Sequence, residues 1–279
     1  MRPVEERIKS ALSAGPEELR GLLRDPNPDV ISNALMNRHL TEEMAVIAAK
    51  GKGASAESLG FLAGDVRFKN SYPVKLAICK NPKTPQRVAL SLLKFMRLFD
   101  LADIAKDQRI NIAIRQKIEY LLSERMPSMP IGVKTALARR AHGSILLSLM
   151  RTAEERVVAV CLESPSLTEE HLYKLLTSTM TKPAVIRLIA DHRKWSLSYY
   201  VRYALIRNFY TPMPRVSVFI KGMKTSDLRE LYADPKLPTA TRPFIHRELL
   251  DRGETTGTPK DEVFHLAGDE DSYMPDDMA

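Results

Sequence analysis

Cysteine is scarce in this sequence, because Cys79 and Cys161 are the only two among its 279 residues. Two thiols provide neither a disulfide framework nor a four-ligand metal site. The sequence also lacks a run of about 18 apolar residues, the length that a membrane-spanning helix requires. Its opening stretch, MRPVEERIKSALSAG, contains no long apolar segment of the kind found in signal peptides. We therefore expect a cytoplasmic protein with no membrane partner.

Catalytic and metal-binding motifs are also missing. No Gly-x-Ser-x-Gly elbow or kinase motif occurs, and the six histidines include no pair at i, i+4 spacing beside an acid. GKGAS at 51–55 contains the letters Gly-Lys-Gly but lacks the order of a phosphate loop and follows no strand. We interpret it as a flexible connection between helices. The sequence therefore predicts a protein that is not an enzyme and has no cofactor, metal or small-molecule substrate.

Charge is distributed unevenly along the chain. The net charge is +8, yet the last twelve residues, GDEDSYMPDDMA, carry five acids and no base. Residues 1–267 therefore hold 42 bases against 29 acids. A body this basic attracts anionic partners, although net charge argues about association and not about fold.

The four letters LTEE occur twice, at 40–43 and again 127 positions later at 167–170. Shifting the chain by 127 positions without a gap aligns residues 19–125 with 146–252 and gives 27 identities in 107 positions. Average amino-acid usage predicts about 6% identity by chance. We infer an internal duplication of about 127 residues.

A shorter period lies inside each half. Five similar segments recur at intervals of 44, 45, 38 and 44 residues, which is the length range of two-helix repeats. Where these residues occur in the segments, Asn or Ser is expected to end one helix, Pro to prevent its continuation, and Thr to cap the next helix, with Pro or Glu in its first turn. Apolar residues at helical spacing flank the segments, so the sequence predicts an all-α, right-handed α-solenoid. The segments are NRHLTEEM (37–44), NPKTPQRV (81–88), MPSMPIGV (126–133), SPSLTEEH (164–171) and NFYTPMPR (208–215).

The segments NPKTP and NPDV, set between short helices, resemble the leucine-rich-repeat-variant and HEAT-like families of bacterial α-solenoids. The resemblance covers about residues 15–267. It implies a helical-repeat fold and carries no catalytic residues. Some leucine-rich-repeat-variant proteins bear an iron-sulfur cluster on a group of cysteines, but two cysteines do not match that pattern. ALARRAHG and LTEE are also similar to segments of uncharacterised bacterial proteins of this class.

These patterns divide the chain into four predicted parts. Val4, Ile8 and Leu12 predict an amphipathic N-terminal helix that caps the array. Thr258 and Pro259 predict a short closing helix at the other end. The parts are a capping helix at 1–14, a first solenoid half at 15–127, a second half with the closing helix at 128–267, and a disordered acidic tail at 268–279.

Two basic stretches are candidates for binding an anion or a partner. KTALARRAHG contains four of the residues and DHRKW contains two, beside Trp195. The alternative is structural: the arginines would lie at a solvated helix end, and Trp195 would be a core residue because it aligns with Phe68. Cys79 and Cys161 align with Ile206 and Ala34, which also favours core positions. The candidates are Lys134, Arg139, Arg140, His142, Arg193 and Lys194.

The architecture and the missing catalytic motifs predict a non-enzymatic scaffold that mediates protein-protein interaction by binding a protein or peptide on its concave face. This expectation rests on analogy with helical-repeat folds. The alternative is a nucleic-acid-binding protein that uses the basic surface, including a HEAT-like DNA-processing enzyme. No residue matches the catalytic position of such an enzyme family.

Overall fold

A computed structural model describes residues 3–254, and within this range the chain is all-α, with 18 α-helices and no strand. No helix in the described range is both long and apolar enough to cross a membrane. The helices are α1 Val4–Ser13, α2 Pro16–Leu22, α3 Pro28–Leu35, α4 Glu42–Lys50, α5 Ala56–Gly64, α6 Tyr72–Cys79, α7 Gln86–Leu92, α8 Leu98–Lys106, α9 Ile112–Arg125, α10 Ile131–Ala138, α11 Gly143–Arg151, α12 Glu155–Leu162, α13 Glu169–Leu176, α14 Pro183–Asp191, α15 Tyr199–Ile206, α16 Met213–Lys221, α17 Thr225–Ala233 and α18 Arg242–Asp251.

Contacts between residues divide the chain into two compact units, which we call the N-unit (1–168) and the C-unit (169–279). This division reflects where contacts are dense. It falls at a different place from the predicted boundary at residue 127, which describes sequence similarity. The predicted closing helix and acidic tail lie outside the described residues.

All five predicted turns lie between helices. The first joins α3 to α4, the second α6 to α7, the third α9 to α10, the fourth α12 to α13 and the fifth α15 to α16. Each helix is only two to four turns long, so most of its stability comes from the apolar side chains that it buries against its neighbours.

The role predicted for threonine in these turns is correct at one position and wrong at two. Thr41 caps α4, because its hydroxyl oxygen accepts a hydrogen bond from the backbone N–H of Met44 at 3.4 Å. The hydroxyls of Thr84 and Thr211 instead donate to backbone oxygens of the preceding helices, at 2.6 Å in both cases. The residue after each of these two threonines is a proline that takes the N-cap position.

The N-terminal helix is present, but its buried face differs from the predicted one. Leu12 is 49% exposed and Val4 is 40% exposed, whereas Ala11 is fully buried. The N-terminal helix packs against α3, and Asn37 donates hydrogen bonds to the backbone oxygens of Ala11 and Ala14. A small residue therefore faces the neighbouring helix, because the side chain of Asn37 bonds to the backbone at the end of α1 and holds the two segments close together.

The core of each unit is formed by aliphatic side chains at the helical spacing seen in the sequence. In the N-unit, Cys79 and Cys161 are among these buried residues, as their alignment with apolar residues predicted. Burial raises the pKa of both thiols to about 12. In the C-unit, Trp195 is 3% exposed and is a core residue, which confirms the structural interpretation of this tryptophan.

Candidate binding pockets

Lys134 does not lie on the surface with the other candidate cations. It is 3% exposed, and its Nζ lies 2.7 Å from Oε1 of Glu154. A lysine at an interior position requires such a partner, because an unpaired buried charge is very unfavourable. The ion pair joins α10 to the start of α12, so Lys134 contributes to the packing of these helices.

Arg139 and Arg140 follow the end of α10, and both are exposed. The guanidinium of Arg140 lies over the ring of Phe99, 5.2 Å from its centroid. Arg139 lines an open pocket of about 440 Å³ in the N-unit. The other residues lining this pocket are Ala159, Val160, Glu163, Ser164 and Pro165.

The remaining candidates lie at two places. His142 precedes α11 and is half-buried, and its Nδ1 has no hydrogen-bond partner among the described residues. Arg193 and Lys194 are exposed in the C-unit, and Nζ of Lys194 lies 4.1 Å from the ring centroid of Trp195. Within the N-unit, the structure thus leaves Arg139 and Arg140 as adjacent exposed cations.

A larger pocket, which we call the aromatic pocket, lies entirely within the C-unit. Its volume is about 500 Å³. Three of its aromatic side chains are accessible, since Phe209 is 75%, Tyr210 47% and Tyr173 42% exposed. The rings of Phe209 and Tyr210 meet edge to face with their centroids 5.4 Å apart. The lining residues are Tyr173, Leu176, Thr177, Ser178, Thr179, Ala204, Arg207, Asn208, Phe209, Tyr210 and Lys236.

Asn208 fixes the loop that carries these aromatic residues. Its Nδ2 donates to the backbone oxygen of Leu176 at 2.7 Å, and its Oδ1 accepts from the backbone N–H of Tyr210 at 3.0 Å. The first bond ties the loop after α15 to the end of α13, and the second sets the turn. One side chain therefore places Phe209 and Tyr210 at the opening of the pocket.

The cations of the aromatic pocket are partly neutralised. Arg207 lies 2.5 Å from Asp234, whose carboxylate also accepts from the backbone N–H of Lys236 at 2.9 Å. The backbone N–H of Lys236, followed by the charge of Arg207, holds the pKa of Asp234 below its usual value. Lys236 itself is exposed at the edge. The pocket therefore combines apolar ring surface with a modest positive charge.

A second open pocket, which we call the lysine pocket, lies entirely within the N-unit. Its volume is about 240 Å³, and no carboxylate is among its lining residues. Five of the nine lining residues are cations. The lining residues are Lys50, Gly51, Lys52, Ala77, Lys80, Asn81, Pro82, Lys83 and Arg109.

Asn81 organises the lysine pocket as Asn208 organises the aromatic pocket. Its Nδ2 donates to the backbone oxygen of Ala49 at 2.7 Å, and its Oδ1 accepts from the backbone N–H of Lys83 at 2.9 Å. These bonds hold the turn after α6 against the end of α4. The ammonium of Lys83 reaches across to the backbone oxygen of Lys52 at 2.6 Å.

The aromatic and lysine pockets occupy corresponding positions in the sequence. Each of the nine residues lining the lysine pocket has a counterpart 127 positions later that lines the aromatic pocket. The first pair is Lys50 with Thr177, and the last is Arg109 with Lys236. The open pocket beside Arg139 lies at the same kind of turn, since Ser164 is 44 positions before Asn208. Pockets therefore recur at turns of the same type.

These pockets were not predicted from the sequence. The cations of the lysine pocket come from three segments far apart along the chain, so no single stretch is conspicuously basic. A signal was nevertheless present, because Lys80 and Lys83 flank Asn81 in one turn and Lys50 and Lys52 flank Gly51 in another.

Comparisons of the chain with protein-family models, with curated proteins and with solved structures gave no match. The many helices of the described residues are compatible with a helical-repeat protein.

Proposed function

We propose that this protein is a non-enzymatic helical-repeat scaffold, an α-solenoid of the leucine-rich-repeat-variant or HEAT-like type, which binds a protein or peptide. The observation that carries the proposal is the aromatic pocket, with its three accessible rings.

The repeat part of this proposal is supported by side-chain bonds that recur 127 positions apart. Tyr72 and Tyr199 each donate a hydrogen bond to an aspartate, Asp100 and Asp227, which again lie 127 positions apart. The same tyrosine hydroxyls each accept a bond from a backbone N–H at corresponding positions, at 3.1 and 3.0 Å. Two segments that are similar only by chance are not expected to form the same hydrogen bonds at corresponding positions. These paired bonds therefore favour descent of the two halves from one duplicated unit.

The binding part is supported by the exposure of the rings. Large apolar side chains that remain accessible in an open pocket are typical of interaction sites, since their burial by a partner is favourable. Tyrosine and phenylalanine provide much contact area at little entropic cost, and aromatic residues are enriched among the residues that dominate binding energy. A pocket held open by Asn208 is largely pre-formed, which lowers the cost of binding.

The chemistry of the pocket indicates which peptide it fits. An aliphatic or aromatic anchor side chain would pack against Phe209 and Tyr210, and an acidic group beside that anchor would lie near the exposed Lys236. We therefore expect recognition of a short segment with one apolar anchor and an acidic neighbour.

The test is a selection of binding peptides from a random display library, followed by affinity measurement with purified protein. We expect selected peptides to bind the wild-type chain and to lose about tenfold or more in affinity with Phe209→Ala/Tyr210→Ala, because each truncated anchor costs more than about 1 kcal/mol. The matched control is Tyr200→Ala/Phe244→Ala, which removes two exposed rings of the C-unit that do not line the pocket. Peptides that bind all three proteins equally, or no enrichment at all, would contradict the proposal.

Nucleic-acid binding is a second candidate function, favoured by the adjacent exposed Arg139 and Arg140. The guanidinium of Arg140 already lies over Phe99, and a base could stack on such a surface. The measurement is binding of duplex and single-stranded oligonucleotides across a salt series. Phosphate contacts are strongest at low salt, so absence of binding there would eliminate this candidate.

A further inference from the structure

We propose that the lysine pocket of the N-unit binds a compact polyphosphate group. The proposal goes beyond peptide binding by the scaffold, since it concerns a different pocket in the other compact unit and a different ligand chemistry. It rests on the charge of the pocket, on the way its walls are held, and on its contrast with the aromatic pocket.

The charge of the lysine pocket is largely uncompensated. Lys50, Lys52 and Lys80 are exposed and make no ion pair or hydrogen bond through their side chains within residues 3–254. Five cations around about 240 Å³ repel one another in the absence of a ligand. An anion with several oxygens relieves this repulsion and accepts charge-assisted hydrogen bonds from the ammonium groups.

The two other cations are oriented by partners that leave the pocket positively charged. Nζ of Lys83 donates to the backbone oxygen of Lys52, a neutral acceptor, so its charge is retained. Arg109 is bound through Nε and Nη2 to the carboxylate of Asp107, at 3.0 and 2.7 Å. This pair neutralises one cation and leaves four lysines without a countercharge among the lining residues.

The wall that carries Lys52 is tightly packed, contrary to the expectation of a flexible connection. A Cβ at Gly53 would overlap the backbone oxygen of Asp25 and lie 2.9 Å from Cδ1 of Ile31. Ser55 then begins α5 with a reciprocal capping box formed with Ser58. The Gly-Lys-Gly segment is therefore pressed against the N-unit, and Lys52 is held between two fixed points.

The corresponding aromatic pocket shows that three of these lysines are not required by the turn itself. At the positions 127 residues later, Lys50 is replaced by Thr177, Lys52 by Thr179 and Lys83 by Tyr210. The same backbone arrangement is therefore compatible with neutral side chains. Lys80 corresponds to Arg207, so a cation stands at this position in both pockets, whereas Lys50, Lys52 and Lys83 are an addition that needs a separate explanation.

Stabilisation of helix ends explains only part of the positive charge of the lysine pocket. Lys50 is the last residue of α4 and Lys80 is the C-cap of α6, where a cation interacts favourably with the helix dipole. Lys52 and Lys83 lie beyond these ends, and they increase the local repulsion. A ligand that carries several negative charges accounts for all four lysines.

The ligand chemistry follows from what lines the pocket. Ammonium groups bind phosphate oxygens as point charges without a fixed angle. No aromatic side chain is among the lining residues, so the pocket offers no ring on which a base could stack. The arrangement therefore favours a short, dense run of phosphates over an extended nucleic acid strand.

The test is calorimetric titration of the full-length protein with inorganic tripolyphosphate at low salt. We expect saturable binding that weakens as salt is raised. In Lys50→Gln/Lys52→Gln/Lys80→Gln, affinity should fall about tenfold or more, since three exposed charge pairs are lost. The matched control is Lys9→Gln/Lys69→Gln/Lys117→Gln, which removes the same charge from exposed sites of the N-unit outside the pocket and should change affinity little.

Three results would overturn the proposal. They are the absence of tripolyphosphate binding at low salt, an equal loss of affinity in both triple variants, and binding of a 12-residue single-stranded oligonucleotide without binding of tripolyphosphate. The last result would assign the lysines to nucleic acid. Thermal unfolding of each variant identifies a folding defect, and the single substitution Lys52→Gln, in a loop outside any helix, provides a second and milder variant. Peptide selection with the aromatic pocket is unaffected by any of these outcomes.

Discussion

At the scale of single residues, the turns are built by side chains that bond to the backbone of another segment. Asn81 and Asn208 each bond to the end of an earlier helix, and Thr84 bonds to the helix that precedes it. The presence of Asn and Thr in these turns is visible in the sequence, but their partners are not. Where Thr is followed by Pro, the proline takes the N-cap position and the helix begins one residue later. The threonine hydroxyl then donates to a backbone oxygen of the preceding helix.

Arg67 is another residue whose partners the sequence does not indicate. Its Nη1 and Nη2 donate to the backbone oxygens of Asn37 and Leu35, at 2.9 and 2.7 Å, so it satisfies the end of α3. It is also bound to Asp65, with Nη2 2.7 Å from Oδ2. The side-chain hydrogen bonds from Arg67 hold the pKa of Asp65 below its usual value, and the backbone N–H of Arg67 adds to this effect.

This arrangement predicts that Asp65 stabilises the fold in a pH-dependent manner. A carboxyl group whose pKa is lower in the folded than in the unfolded state contributes stability above its unfolded pKa, and loses it as pH falls through the folded value. Asp65→Asn should therefore lower the free energy of unfolding by about 1 kcal/mol at pH 7, since a charge-assisted bond is weakened. Urea unfolding at pH 7 and at pH 3 measures the difference.

The stability difference between Asp65→Asn and wild type should shrink at the lower pH, because the wild-type carboxylate is then increasingly protonated. Asp103→Asn is the control, since Asp103 is exposed and makes no ion pair within residues 3–254. A difference between Asp65→Asn and wild type that stays constant between the two pH values would contradict a role for the carboxylate charge.

At the scale of elements, helix positions follow from the sequence, whereas close approaches between segments do not. Apolar spacing and the five turn segments located the helices on both sides of each turn. The packing of the Gly-Lys-Gly segment against Asp25 depends on a residue 28 positions away, which no local pattern reveals. Local chemistry therefore predicted a loop here but missed its tight fit.

The two glycines at 53 and 60 should respond in opposite ways to substitution by alanine. Gly53→Ala should destabilise the N-unit by about 1–3 kcal/mol, because the new methyl group forces the segment away from Asp25. Gly60 lies inside α5, and a Cβ there meets no atom within 4 Å. Gly60→Ala should stabilise the helix by about 0.5–1 kcal/mol, since alanine loses less conformational freedom on folding.

Urea unfolding of both glycine variants, compared with wild type, provides the measurement. Gly53→Ala should also weaken tripolyphosphate binding if the displaced segment carries Lys52 away from the pocket. Equal stability of the two alanine variants would show that the Gly-Lys-Gly segment can move without cost, and so contradict the tight packing.

At the scale of the whole molecule, the sequence predicted the all-α class and two halves that meet at residue 127, whereas the density of contacts divides the chain after residue 168. A pattern that repeats every 127 residues describes ancestry, while compact units depend on how densely contacts connect distant segments. The same limit applies to the pockets. Contiguous basic stretches are visible in the sequence, whereas the lysine pocket is formed by segments around residues 51, 81 and 109, which only the fold brings together.

The distribution of two rare residue types allows the N-unit and the C-unit to be followed separately during unfolding. Both cysteines are buried in the N-unit, where their raised pKa suppresses the thiolate form that reacts with labelling reagents. The single tryptophan, Trp195, is buried in the C-unit. Thiol labelling therefore reports opening of the first unit, and tryptophan emission reports the environment of the second.

We expect the unfolding curves from thiol labelling and from Trp195 emission to differ. Residues 169–254 form the smaller described part, so its unfolding exposes less surface and should show a weaker dependence on urea. Brief thiol labelling at each urea concentration, alongside Trp195 emission, gives one midpoint and one slope for each unit. Trp195→Phe removes the emission signal and Cys79→Ala/Cys161→Ala the labelling signal, which verifies the assignments. If the two curves superimpose, the chain unfolds as one cooperative body, and the division at residue 168 has no energetic meaning.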